Sequence, residues 1–306
     1  MLRKRVARVT FAAALILAIG VVGAKPPVAN AQAAGPTQVG LGTADSFAVL
    51  AGQGITNTGE STITGDIGTF PNAAETGTGP CPGADCVNLT GTDHAGDGVT
   101  QGAKADLTTA YNDAAGRTGA STIATELDGA TLVAGVYDSA AGTFLNSGTL
   151  TLDGQGDPYA VFIFQMSSTL ITASDSTVNL INGARSCNIF WQVGSSATLG
   201  TDSTFRGTIL ALTQITVTTG VTVDGRVLAR NDDVTLDTDT ITRAGCAPRP
   251  ATPPTTPPPS GGVETGGGST AGVQDVGLLL IGGALLAGAV GVLGVRRRVR
   301  RKVSSS

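Results

Sequence analysis

One histidine, four cysteines and twenty-three carboxylates are the reactive side chains of this 306-residue chain. Their spacing limits the chemistry they can do. His94 lies in Asp93-His94-Ala95-Gly96-Asp97, with no second His to share a metal, and reads as a polar residue ahead of a helix. Asp232 and Asp233 are adjacent, and neighbours on a strand point to opposite faces, so the two cannot flank one glycosidic bond. Other acids, such as Asp153, Asp157 and Asp224, are scattered over turns. Catalysis is therefore not expected, and no cofactor or metal is implied. Stacked Asp columns can bind calcium through oxygen ligands, but the full nonapeptide calcium repeat is missing. Cys81, Cys86, Cys187 and Cys246 permit three disulfide connectivities. The pairing expected is Cys81 with Cys86, stapling a small loop, and Cys187 with Cys246, tying down the domain's C-terminal end.

What remains is hydroxyl and methyl chemistry on a surface of unusual charge. Eleven of the nineteen basic residues fall in the first 32 or last 11 positions, and the part between carries 8 basic and 23 acidic residues. A net charge of −15 repels nucleic acid and anionic lipid. No nucleic-acid partner is expected.

The ends read as addresses. Arg3, Lys4, Arg5 and Arg8 precede an apolar run, and Ala29-Asn30-Ala31 gives a cleavage pattern, so residues 1–31 read as a secretory signal peptide. Residues 276–295 carry no charge and are long enough to cross a bilayer. The basic tail 296–306 follows, which keeps that end cytoplasmic. Gly262-Val263-Glu264-Thr265-Gly266 resembles a degenerate sortase signal, so membrane retention and attachment to the cell wall are both open. Seven prolines between Pro248 and Pro259, then a Gly-rich run, make 247–275 an extended stalk. The expectation is an exported, surface-displayed protein, folded over 32–246 and monomeric.

That folded part repeats itself. Thr204-Phe205-Arg206-Gly207-Thr208-Ile209-Leu210-Ala211 matches Thr222-Val223-Asp224-Gly225-Arg226-Val227-Leu228-Ala229 at an offset of 18. Thr240-Ile241 lies 18 further on, Thr177-Val178 lies 27 before, and Thr62 to Ile67 carries the same Thr-apolar-x-Gly-x-apolar pattern. Such periods, with β-branched strands and Gly or Asx corners, describe an irregular β-solenoid of stacked parallel strands. Ala103, Leu107, Ala110, Tyr111 and Ala114 have helical spacing, and a helix is expected over about 99–115, stopped by Gly116. Residues 70–98 read as an excursion capping an open end of the stack. The hydrophobic segments around Phe162 and Trp191 read as strands of a buried wall. An aromatic sugar platform is the other reading of Trp191.

The segments LGTADSFAVLAGQG (41–54), ITGDIG (63–68), DLTTAY (106–111), TLTLDGQGDPYAVFIFQ (149–165), NIFWQVGSSATLGT (188–201), GTILA (207–211) and GRVLAR (225–230) together resemble the bacterial and fungal ice-binding protein family. The resemblance covers about 40–246. It implies a mainly β fold, an irregular right-handed parallel β-solenoid with one long α-helix packed alongside, and ice as the partner. In that family one face carries loosely repeated Thr-(Ala or Gly)-x-(Thr or Asn) segments. By that pattern the candidate ice-facing residues are Thr172, Thr198, Thr201, Thr219, Thr222, Thr235 and Thr238. Asp175, Asp202, Asp237 and Asp239 lie among them, and a carboxylate's own hydration shell conflicts with an ordered water layer. A surface adhesin or display module with a cell-surface ligand and no ice activity is the alternative.

Overall fold

The computed structural model describes residues 35–246. The signal peptide, stalk, membrane span and basic tail expected from the sequence lie outside the described residues. Among the described residues no helix is long and apolar enough to cross a membrane.

The strands pair in parallel throughout, as a seven-stranded and a 14-stranded sheet. The larger sheet bends, so that the stack presents three walls. The bend explains the glycine of the repeated motif. In Thr204–Ala211 and Thr222–Ala229 side chains alternate between inside and outside up to Gly207 and Gly225, after which every residue is buried. Gly207 takes φ 113°, a region open to glycine. A Cβ there would stand 2.8 Å from Ile189 and Trp191, and one on Gly225 would meet the Gly207 carbonyl oxygen.

The register matches the sequence periods. Thr149 pairs with Thr177, Thr177 with Thr204, Thr204 with Thr222, Thr222 with Thr240, and Thr240 with Thr62. The last pairing joins the C-terminal coil to the N-terminal one. Phe47–Ala51 likewise pairs with Thr222–Ala229, and Gly54–Thr58 with Val234–Asp237. The chain thus makes its first coils at one end of the stack and restarts at the other. The helix, Gly98–Ala115, is the connection. Its 18 residues extend about 27 Å at ~1.5 Å per residue, the height of five to six strands at ~4.8 Å spacing.

The helix starts where Asp97 accepts a hydrogen bond from the Thr100 N–H and stops at Gly116, one residue from the expected start. Ala103, Leu107, Ala110, Tyr111 and Ala114 bury against Phe47, Leu50, Val161, Ile163, Phe190, Leu210 and Leu228. The small residues allow close approach, while Leu107 and Tyr111 fill the seam. The hydrophobic strands expected to form a buried wall do so on both sides. Ile163 and Phe190 face the helix, whereas Phe164 and Trp191 stack inside the solenoid, 4.0 Å apart and 9° from parallel. Trp191 is 1% exposed, so it offers no sugar platform.

Residues 70–98 differ from expectation. They are more than a cap, because Ala74–Thr76 and Cys86–Leu89 extend both sheets by a further coil. Their backbone groups complete ladders that an irregular cap would leave unpaired. Pro80 bridges Val87, and the Cys81–Cys86 disulfide closes that turn. Cys187 is joined to Cys246. Both pairs are those expected.

Candidate functional site

One wall is packed under the helix, and two remain open. The seven-stranded wall carries an in-register outward column of Leu145, Ile171, Thr198, Thr216, Thr235, Thr56 and Thr76. All but Thr76 sit between buried neighbours, as Thr198 does between Ala197 and Leu199 and Thr216 between Ile215 and Val217. Strand alternation therefore drives these hydroxyls and methyls outward, at ~4.8 Å intervals set by the hydrogen-bonded ladder. Thr143 and Thr169 flank the column on one side, their hydroxyls 3.2 Å apart. Thr218 flanks it on the other and donates to the Leu199 carbonyl. The hydroxyls of Thr198, Thr235, Thr56 and Thr76 have no partner among the described residues, which leaves them to water.

The second open wall also has a column, of Thr149, Thr177, Thr204, Thr222, Thr240 and Thr62, ending at Asn88. Its neighbouring column is charged. Arg206 and Asp224 form a salt bridge at 2.7 Å in the middle of it, and on the opposite side of the threonine column Glu60 takes a hydrogen bond from Asn88. Charge therefore breaks this wall, while the central column of the seven-stranded wall is free of it.

The structure divides the seven expected threonines among four environments. Thr198 and Thr235 stand in the column of the seven-stranded wall. Thr222 stands on the other open wall. Thr201, Thr219 and Thr238 occupy the corner between the two, with Thr238 at φ 59°. Thr172, expected on the exposed face, is 4% exposed and points inward, where its hydroxyl accepts from the Gly200 N–H and reaches Ser203. The reason is geometric. A Thr-x-x-Thr segment runs off the end of a short strand and round the corner, so its two threonines cannot share a face. Thr216, Thr56, Thr76, Leu145 and Ile171 were missed. Their signal is the apolar-Thr-apolar triplet recurring at 18 or 19 residues, as in Ala197-Thr198-Leu199, Ile215-Thr216-Val217 and Val234-Thr235-Leu236.

The family described as ice-binding-like matches residues 49–242. The chain belongs to that family. It is 46% identical over 212 residues to an ice-binding protein of Nostoc sp. (strain HG1), covering 69% of this chain and 76% of the relative. It is 38% identical over 227 residues to one from Colwellia sp, covering 69% and 86%. Among solved structures, the ice-binding protein of the Antarctic ascomycete Antarctomyces psychrotrophicus superposes with a TM-score of 0.64 at 40% identity, covering 69% of this chain and all of that one. One from an Antarctic biological consortium gives 0.65 at 44%, covering 69% and 93%.

Against this family frame the acids sort clearly. Asp175 and Asp202 sit at the corner with φ near 59° and 58°, a conformation a short polar side chain tolerates. They stand beside the wall and not on it. Asp239 is 1% exposed and directed inward. Its oxygens accept from the N–H groups of Val221 and Asp237, and its own N–H donates to Ser61. Burial dominates those bonds and pushes its pKa up to about 7. Asp237 does stand on the wall, beside Thr235, with Asp233 on the strand's other side, so one rung bears carboxylates at both edges. Among the described residues no group of three or more His, Cys, Asp or Glu could hold a metal.

Proposed function

We propose that this protein binds ice through its seven-stranded wall. The observation that carries the reading is the in-register column of five threonines continued by Ile171 and Leu145. Family membership supplies the class of ligand. Threonine's methyl orders water as an apolar surface does, its hydroxyl anchors that layer, and its branched Cβ keeps both in one rotamer. Ranks fixed by a hydrogen-bonded ladder then hold an ordered water layer that merges with the crystal. Many weak contacts are summed over area, with no catalytic residue, metal or deep pocket.

The charged ends of the sequence support a location outside the cell, with the solenoid carried on the 247–275 stalk and held by the 276–295 span or by a sortase-made bond. In that setting the protein is a monomeric ice adhesin, holding a cell to ice. The acidic Asp233–Thr235–Asp237 rung favours the second reading, a surface module whose ligand is not ice. Nanolitre osmometry on the purified protein separates the two. Faceted crystals with a hysteresis gap are the expected result, whereas round crystals growing freely at high concentration would remove the ice function and leave the fold standing.

A further inference from the structure

The second open wall contains a cleft of ≈ 530 Å³. Asn179, Arg185, Ser186, Arg206 and Asp224 supply its polar lining, and Leu180 an apolar flank. Its position is unusual for its charge. Nearly every cationic side chain among the described residues has a partner. Arg117 pairs with Asp113, Arg206 with Asp224, and Arg226 and Arg243 with Asp45. Lys104 donates to the Ala229 carbonyl, and Arg230 lies over the Tyr111 ring. Among them only the Arg185 side chain has neither a hydrogen bond, an ion pair nor a ring contact, and it is exposed on the rim of this cleft.

The same cleft holds an acceptor with capacity to spare. Asp224 takes the Ser186 hydroxyl at 2.5 Å and Arg206 at 2.7 Å through one oxygen, Oδ2. Oδ1 makes no hydrogen bond among the described residues. The Ser186 contact and the Arg206 bridge hold this carboxylate in place, and the Asn179 amide adds both a donor and an acceptor. The cleft therefore offers one free positive charge, one free charged acceptor, an amide and a small apolar patch.

We propose that this cleft binds a carboxylated sugar. The charge balance selects a ligand with one carboxylate per residue, engaged by Arg185. Asp224 selects hydroxyl donors, and Leu180 takes the C–H face of a ring. A phosphate or a strongly acidic peptide would bring more negative charge than one unpaired guanidinium balances, and would meet Asp224 as well. The site lies on a different wall from the threonine column proposed to face ice and does not depend on that reading. It would let one domain hold an acidic polysaccharide on one wall while another is occupied.

The test is calorimetric titration of the full chain with galacturonic acid, a short oligogalacturonate and a neutral galactose oligomer, at low and high salt. Binding of the acidic sugars with none of the neutral one, weakened by salt, is expected. Binding of the monomer would identify a free sugar acid as sufficient, and binding of the oligomer alone would identify a polymer. Arg185→Gln should weaken it about tenfold, the loss of one charge-assisted pair, with melting temperature and crystal shaping unchanged because Arg185 supports nothing in the fold. Arg185→Glu should abolish it. Equal binding of neutral and acidic sugars, no binding of either acidic probe, or an unaffected Arg185→Gln variant would each overturn the proposal.

Discussion

The hydroxyl of Thr219 donates to the carboxylate of Asp237 at 2.5 Å across the corner of the solenoid. Thr238 donates to the other oxygen of the same carboxylate at 3.1 Å. Two threonines at the edge of the candidate ice-facing wall are thus turned toward a charge instead of toward water. Replacing Asp237 with Thr, together with Asp233→Thr, removes both carboxylates from that rung and frees the two hydroxyls. Thermal hysteresis is expected to rise severalfold at equal concentration. Unchanged hysteresis would mean that this rung lies outside the contact.

The two threonine columns make opposite predictions. Thr216→Tyr places a large ring in the centre of the uncharged column and should abolish ice shaping. Thr222→Tyr, on the wall broken by Arg206 and Asp224, should leave it intact. Both positions are at the surface, so each stability change should stay within about 0.5 kcal/mol. Loss of activity from Thr222→Tyr alone would exchange the roles of the walls.

Stability contributed by two acids should fall as pH rises from about 4 to 7. Asp239 and Glu75 both have pKa values pushed up to about 7, chiefly by burial, with Asp93 adding to the effect at Glu75. An acid that holds its proton more tightly when folded stabilises the fold below its unfolded pKa, and that contribution is lost as pH passes through the folded value. Asp97, Asp106 and Glu126 are shifted the other way, and their contribution is lost only at lower pH. Calorimetry between pH 4 and 7 should therefore show their contribution to the melting temperature falling, with the part due to Asp239 limited to roughly 4 kcal/mol. Asp239→Asn should flatten much of the slope, and Glu75→Gln the remainder. A slope unchanged in both variants would place the titration elsewhere.

The disulfides should contribute unequally. Cys187 and Cys246 are 59 residues apart and Cys81 and Cys86 only 5, so loop-closure entropy assigns about 4 kcal/mol to the first and about 2 kcal/mol to the second. Melting of a Cys187→Ser/Cys246→Ser variant should fall further than that of Cys81→Ser/Cys86→Ser. Equal losses would show that local packing outweighs chain entropy here.

The repeat at 18 residues, the motif glycine and the helix were legible because each expresses a local rule. Thr204, Thr222 and Thr240 share one column, Gly207 needs its backbone angle, and Ala103, Leu107 and Ala110 share one helix face. Ala74–Thr76 was not legible as a strand, because a Gly- and Asn-rich sequence gives no alternation and only the neighbouring strand fixes its conformation. The column proposed to face ice was partly legible. The Thr-x-x-Thr pattern led to Thr198 and Thr235, but it also selected Thr172 and the corner residues, since it marks where strands end and not which way they face. Thr216 and Thr56 become visible only when the apolar residues on either side are read as the inward half of an alternation.

The helix has a consequence for how the protein is made. Because it returns the chain to the far end of the stack, Asp45 meets Arg226 across 181 residues of sequence, and Thr62 finds its ladder partner only at Thr240. The opening coils can pair with one another, but their other edge has no neighbour until the last coils have been synthesised. Such long-range closure is slow, and the middle of the molecule is the last part to be sealed. A chain of this design cannot be completed vectorially from its N-terminus: the opening coils and the coils after the helix each pair among themselves, but the seam between the two groups closes only once the final coil exists.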